Sequence, residues 1–160
     1  MSIFVDSAAA AVARALKTAG VWVAWGNGDP DWDTTPVAEP SNATALVSEL
    51  GRRQASTIDY VVPDVGGTIV VPQGTFSVSS TPTDTVYVRC NFSNSEEVGE
   101  SIREAAVFVG TTLQSGLPPG QDYFPPADVL SHGTMLLLER FAKIDRTIDF
   151  SVSLEFVMSL

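Results

Sequence analysis

The stretch that most constrains this chain runs from residue 96 to residue 110 and reads Glu-Glu-Val-Gly-Glu-Ser-Ile-Arg-Glu-Ala-Ala-Val-Phe-Val-Gly. It opens with carboxylates around a glycine and closes on Val107-Phe108-Val109, so a polar, exposed approach leads into a strand that reads as buried. Consecutive apolar residues on a strand need cover on both faces, which places this one in the middle of a sheet. Strand-like segments on either side supply its neighbours.

Those neighbours follow from residue type and spacing. Before them, Val5, Ala9, Val12, Ala13 and Leu16 recur at three- and four-residue steps, Asp6 or Ser7 is available as a cap, and Gly20 follows Lys17, so a helix is expected over about 6–19. Val21-Trp22-Val23-Ala24-Trp25 reads as a short strand, with both tryptophans and Val23 expected on one face. Turn formers and prolines then make 26–40 a loop around Trp32. Ser41 or Asn42 can cap a short second helix through Ala45, Leu46, Val47 and Leu50, closed by Gly51; Arg52 and Arg53 follow as solvated charges.

From Thr57 the period changes to two. Ile58, Tyr60 and Val62 share one side, Pro63-Asp64-Val65-Gly66-Gly67 turns, 68–71 returns, Pro72-Gln73-Gly74 turns again, and Phe76 and Val78 mark a further strand. Val86, Val88, Cys90 and Phe92 alternate with Thr85, Tyr87, Arg89 and Asn91, which describes a strand with one face on a core and one toward water. Four prolines make 115–126 a surface loop that carries Tyr123 and Phe124. Residues 135–138 form a strand ended by Glu139-Arg140. The last strand begins near Ile148, because Ile148, Phe150, Val152, Leu154, Phe156, Met158 and Leu160 are all apolar.

The fold class expected is α+β: an antiparallel, mostly one-sided sheet or sandwich with an N-terminal helix and a short second helix, in one structural domain over 1–160 whose β-rich body begins near 56. A chain of 160 residues buries a core of useful size without disulfide or metal.

The search for chemistry returns little. His132 and Cys90 are the sole histidine and cysteine, so a nucleophile with its base would have to be built on a turn at Ser131-His132-Gly133, and no catalytic, metal or cofactor-binding residue is assigned. Asp29, Asp31 and Asp33 alternate like the opening of a calcium loop, but Thr34 stands where glycine is needed and Pro40 where glutamate is needed. Nineteen acidic against nine basic residues give a formal charge of -10, which repels phosphate backbones and anionic lipid and leaves protein as the partner class. With no secretion-type leader, synthesis in the cytoplasm is expected.

Leu46-Val47-Ser48-Glu49-Leu50-Gly51-Arg52 and Ser101-Ile102-Arg103-Glu104-Ala105-Ala106-Val107-Phe108, with Leu138-Glu139-Arg140 and Leu154-Glu155-Phe156-Val157-Met158, resemble tail-fibre attachment and baseplate proteins of contractile-tailed bacteriophages. The resemblance covers roughly 44–160. It implies a non-enzymatic structural subunit of the virion tail, made and assembled in the host cytoplasm, which joins other tail or fibre proteins in several copies per particle. The alternatives are a tail-associated glycan- or ester-cleaving enzyme and a small host-encoded binding domain. Large aromatics on loops and an apolar C-terminus make Trp32, Tyr123, Phe124, Met158 and Leu160 the expected partner contacts.

Overall fold

The structure is a computed structural model and describes residue 3 and residues 5–160. Among these the only α-helix is α1 (Asp6–Ala19). The strands are β1 (Val21–Gly26), β2 (Glu49–Gln54), β3 (Thr57–Pro63), β4 (Ile69–Val71), β5 (Gly74–Ser79), β6 (Thr85–Phe92), β7 (Ser101–Val109), β8 (Thr112–Leu113), β9 (Val129–Ser131), β10 (Thr134–Asp145) and β11 (Val152–Ser159). The fold is therefore mainly β with one helix. Short 3-10 turns at Pro30–Asp33 and Pro126–Asp128 are the other helical turns among the described residues.

Contacts divide the chain into two compact units. The first takes in α1, Ala55–Cys90 and Ser153–Leu160. Its strands belong to a sheet of order β11-β6-β3-β5-β4. Pro72 and Gln73 make the tight turn between β4 and β5, where Val71 pairs with Gly74. In the turn after β3 the Asp64 carboxylate accepts from Gly66 N and Ser77 Oγ (2.9 and 2.6 Å), bonds that hold it below the usual carboxylate range. Helix α1 buries Ala9, Ala13 and Leu16 and leaves Val5 and Val12 exposed. No side chain caps it; Val5 stands at the cap, and Gly20 ends it at φ 75°, in a left-handed region that glycine enters without steric cost.

Strand β6 corrects the one-sided expectation. Val86, Val88 and Cys90 are buried as expected, but Thr85 and Tyr87 on the other face are buried too. Tyr87 joins Val61, Val71, Phe76 and Val157 in an apolar cluster. Val157, the residue that interrupts the C-terminal alternation, thus has a core of its own to enter. The last strand also starts later than expected: it begins at Val152, while Ile148 lies in a turn, Phe150 follows that turn, and both are exposed.

The second unit takes in Val21–Gln54 and Asn91–Val152 and holds an antiparallel sheet of order β10-β7-β1-β2. Strand β7 lies inside it, paired with β1 on one edge and β10 on the other. Its residues from Ile102 to Phe108 are buried without interruption, the placement its apolar run required. Strand β10 does not end at Glu139-Arg140 but continues to Asp145, with its register broken between Arg140 and Ile144.

Two further expectations fail here. Trp22 and Trp25 are three positions apart, an odd spacing, so strand alternation sends them to opposite faces. Trp22 packs with Ala24, Leu46, Ala106 and Phe108, whereas Trp25 is fully buried and stacks on Phe92 with ring centroids 3.8 Å apart. Burying a tryptophan of about 200 Å² contributes roughly 5 kcal/mol. The second helix at 41–50 is absent: those residues are irregular until β2 begins at Glu49. Of its proposed apolar stripe Leu46 is buried and Val47 is 60% exposed, so one anchor fixes the segment and no helical face forms. Gly51 serves as a close approach, not as a helix stop, because a Cβ there would lie 2.3 Å from the Tyr123 ring.

Candidate interaction surface

Long irregular segments leave backbone groups without ladder partners, and in the second unit arginines supply the missing donors. Arg52 has no exposed surface. Its Nε and Nη2 donate to the two oxygens of Glu49, each at 2.8 Å. Its Nη1 donates to Thr111 Oγ1 and to the His132 carbonyl (2.8 and 3.0 Å), and its guanidinium lies 4.5 Å from the Phe108 ring centroid. The His132 Nδ1 atom stands 2.6 Å from Nη2. Since a guanidinium only donates, that nitrogen is the acceptor and the ring proton sits on Nε2. His132 is thus a half-exposed partner of a buried ion pair, and Arg52 is no solvated charge.

On the other face of β2, Arg53 bridges Glu96 (2.9 Å) and Asp122. Burial pushes the Glu96 carboxyl above its usual range, opposed by a bond from Ser93 N and by Arg53. Arg103 grips Asp33 with Nε and Nη2, each at 2.8 Å, and this pairing holds the Asp33 carboxyl below the usual range.

The residues expected to meet partners fall into three places. Tyr123 and Phe124 are held by the chain's own second unit. The Trp25 indole donates to the Tyr123 hydroxyl (2.9 Å), which donates to Glu97 Oε1 (2.7 Å); burial raises the phenol well above its ordinary pKa, and Glu97 raises it further. Glu97 itself sits at φ 53°, a left-handed conformation costing about 1–2 kcal/mol that its bond to Tyr123 helps hold. Phe124 is 7% exposed, exchanges backbone hydrogen bonds with Arg52 (2.9 Å each way), and meets Trp22 edge-on.

Trp32 lies elsewhere, half-buried in the wall of an open groove of about 550 Å³. Pro36, Val37, Ala38, Phe141 and Ala142 share the lining. Arg140 organises it: its guanidinium sits 4.1 Å from the Trp32 ring centroid, its Nη1 donates to the Val37 and Ala38 carbonyls (3.2 and 2.9 Å), and its backbone N–H donates to Glu39 (2.8 Å). The bulged residues 141–143 of β10 form the facing wall. Met158 and Leu160 belong to the first unit, where Met158 is buried and Leu160 is 38% exposed; the Leu160 N–H donates to the Asp84 carbonyl (2.8 Å).

Sequence reasoning missed Arg140, Arg103 and Arg146 as organisers. The one signal available for Arg103 was its position, with Glu104, inside an otherwise apolar strand. Glu104 is fully buried and accepts from Ser48 N (2.9 Å), which fixes the segment leading into β2.

Among the described residues no group of His, Cys, Asp or Glu side chains is arranged to hold a metal ion, and no helix is long and apolar enough to cross a membrane. Cys90 is buried. No curated protein matches the chain. Over residues 1–160 it matches the family described as "Baseplate wedge 3 tail fiber network component". The chain belongs to that family, and with it to the structural proteins of the phage tail baseplate.

Proposed function

We propose that this chain is a non-catalytic joint of the baseplate, present in several copies and binding other tail or fibre proteins through the Trp32 groove, the 115–126 loop and its C-terminal residues. The observation that carries the reading is the groove itself. A large aromatic is fixed there by a stacked guanidinium, beside a bulged edge strand, so an apolar partner side chain meets a preformed site and little ordering is needed on binding. Tyr123 and Phe124 support the reading from inside, by fixing the 115–126 loop so that its outer residues present one shape. Leu160, exposed just after β11, is a separate contact residue of the first unit, where Met158 beside it is buried.

Imaging an assembled particle tests this directly: residues 27–40 or 115–126 should be covered by another tail protein. Trp32→Ser should lower incorporation about tenfold, the effect of losing roughly 1.4 kcal/mol at a contact, while the isolated chain stays folded and loses about 1 kcal/mol with the Arg140 stacking. Both loops standing open to solvent in the particle, with Trp32→Ser incorporated normally, would refute the proposal.

A further inference from the structure

Two loops of the second unit, 93–100 and 146–151, are laced into one block by a buried guanidinium. Arg146 is 2% exposed. Its side chain donates to the carbonyls of Ser93 (2.6 Å), Phe150 (3.1 Å) and Glu96 (3.3 Å), its backbone N–H donates to the Glu100 carbonyl (2.8 Å), and its own carbonyl accepts from Gly99 (3.0 Å). Asn94 Nδ2 adds a bond to the Ile148 carbonyl (2.9 Å). Every one of these ties joins one loop to the other or closes the second loop on itself. The loops are irregular in sequence and fixed in shape.

What the block presents is unusual for so well tied a structure. Val98, Ile148 and Phe150 are 50%, 56% and 44% exposed, although the ties accept only on backbone oxygens, and of these three side chains the Phe150 ring meets the Arg146 guanidinium, 5.7 Å from its centroid. Beside them stand Glu97, Glu100 and Asp149. Glu97 and Glu100 each bond through one oxygen, to Tyr123 and Asn27, and the Asp149 carboxylate makes no hydrogen bond among the described residues. The cation of the two loops, Arg146, is turned inward and spent on carbonyls. Apolar residues on a tied block, with carboxylates next to them in the chain, have the composition of an interface centre and its rim.

We propose that this block docks a basic segment of another baseplate protein, which sets an apolar side chain against Val98, Ile148 and Phe150 and brings lysine or arginine to Asp149, Glu97 and Glu100. The proposal rests on the joining role argued above and adds a second surface with a defined partner chemistry. A second copy of this chain is the wrong occupant, because like faces would oppose carboxylate to carboxylate on chains that each carry a formal charge of -10.

The test uses the full chain in assembled baseplates, with the photo-cross-linker p-benzoylphenylalanine in place of Phe150, or in place of Trp32 in a parallel sample. Position 150 should cross-link to a lysine- or arginine-bearing segment of a different tail protein, and adding Asp149→Lys should cut that yield about fivefold, the equivalent of one exposed charge contact. Where Asp149→Lys alters melting of the isolated chain, Asp149→Asn makes the same comparison. Cross-links from 150 only to a second copy, or a yield indifferent to both Asp149 variants, overturn the proposal. If position 32 reaches another tail protein and position 150 reaches none, the docking block is wrong and the joining role stands. Failure of both positions to reach any other protein refutes the joining role and this proposal together.

Discussion

The first unit is held by apolar contact between strands joined through short turns: Val61, Val71, Phe76, Tyr87 and Val157 meet with Ile69 against them, and its ion pair, Lys17 with Asp59 at 3.0 Å, is exposed on both sides. In the second unit an apolar cluster is also present, but Arg52, Arg103 and Arg146 are buried beside the sheet, and each bonds to a loop. The difference follows from connection length. A turn of two residues leaves few unpaired amides and carbonyls, whereas segments such as 27–48 and 114–128 leave many, and a guanidinium can satisfy several acceptors in one place. Charge inside this protein is a way of ordering irregular chain.

The comparison is broken most sharply by removing one member of each kind. Arg52→Ala leaves Glu49 buried without its cation and releases Thr111 and the His132 carbonyl, so a loss of about 3–5 kcal/mol is expected in urea unfolding. Lys17→Ala in the first unit should cost less than about 1 kcal/mol. Equal effects would show that the buried arginine is no more structural than the exposed lysine.

A smaller loss separates ordering from mere packing. Tyr123→Phe keeps the ring against Gly51 and Trp25 but leaves the Trp25 N–H and Glu97 without their shared hydroxyl, with an expected cost of about 1–3 kcal/mol and faster amide exchange near residue 97. Exchange unchanged there would mean that packing alone holds the loop.

The smallest effect is local and set by pH. Arg103 holds the Asp33 carboxyl below its ordinary value of 3.8, so the pairing stabilises the folded loop fully above that value and is lost as pH falls through the lowered one. In a Trp22→Phe chain, where Trp25 is buried, acrylamide should quench Trp32 more strongly below about pH 4 than at neutral pH while the sheet signal persists. Asp33→Asn should remove that step.

Much of the scaffold was legible because it depends on near neighbours in sequence. The three- and four-residue spacing around Ala9, Ala13 and Leu16 marked α1, the apolar run ending at Val109 marked β7, and Pro63 to Gly67 marked a turn. The interaction surface was less legible, since its organisers act over long separations: Arg52 meets His132 across 80 positions and Arg140 meets Val37 across 103. Residue type alone made Arg52 look like a solvated charge and Arg140 the end of a strand. The alternation from Ile148 misled for a related reason. Ile148 and Phe150 keep the period of a strand, yet Arg146 and Asn94 take their carbonyls and bend the chain into a turn, something no count of apolar residues registers.

Strand β7 also sets a clock. Between Glu104 and Phe108 every residue is buried and paired on both edges, so these amides exchange with deuterium only when the surrounding unit opens as a whole. Their rate in the isolated chain therefore measures the free energy of that opening. Each tenfold slowing of the same amides after incorporation into a baseplate corresponds to about 1.4 kcal/mol of stabilisation by whatever is bound, and the interior of the sheet keeps time for contacts made at its surface.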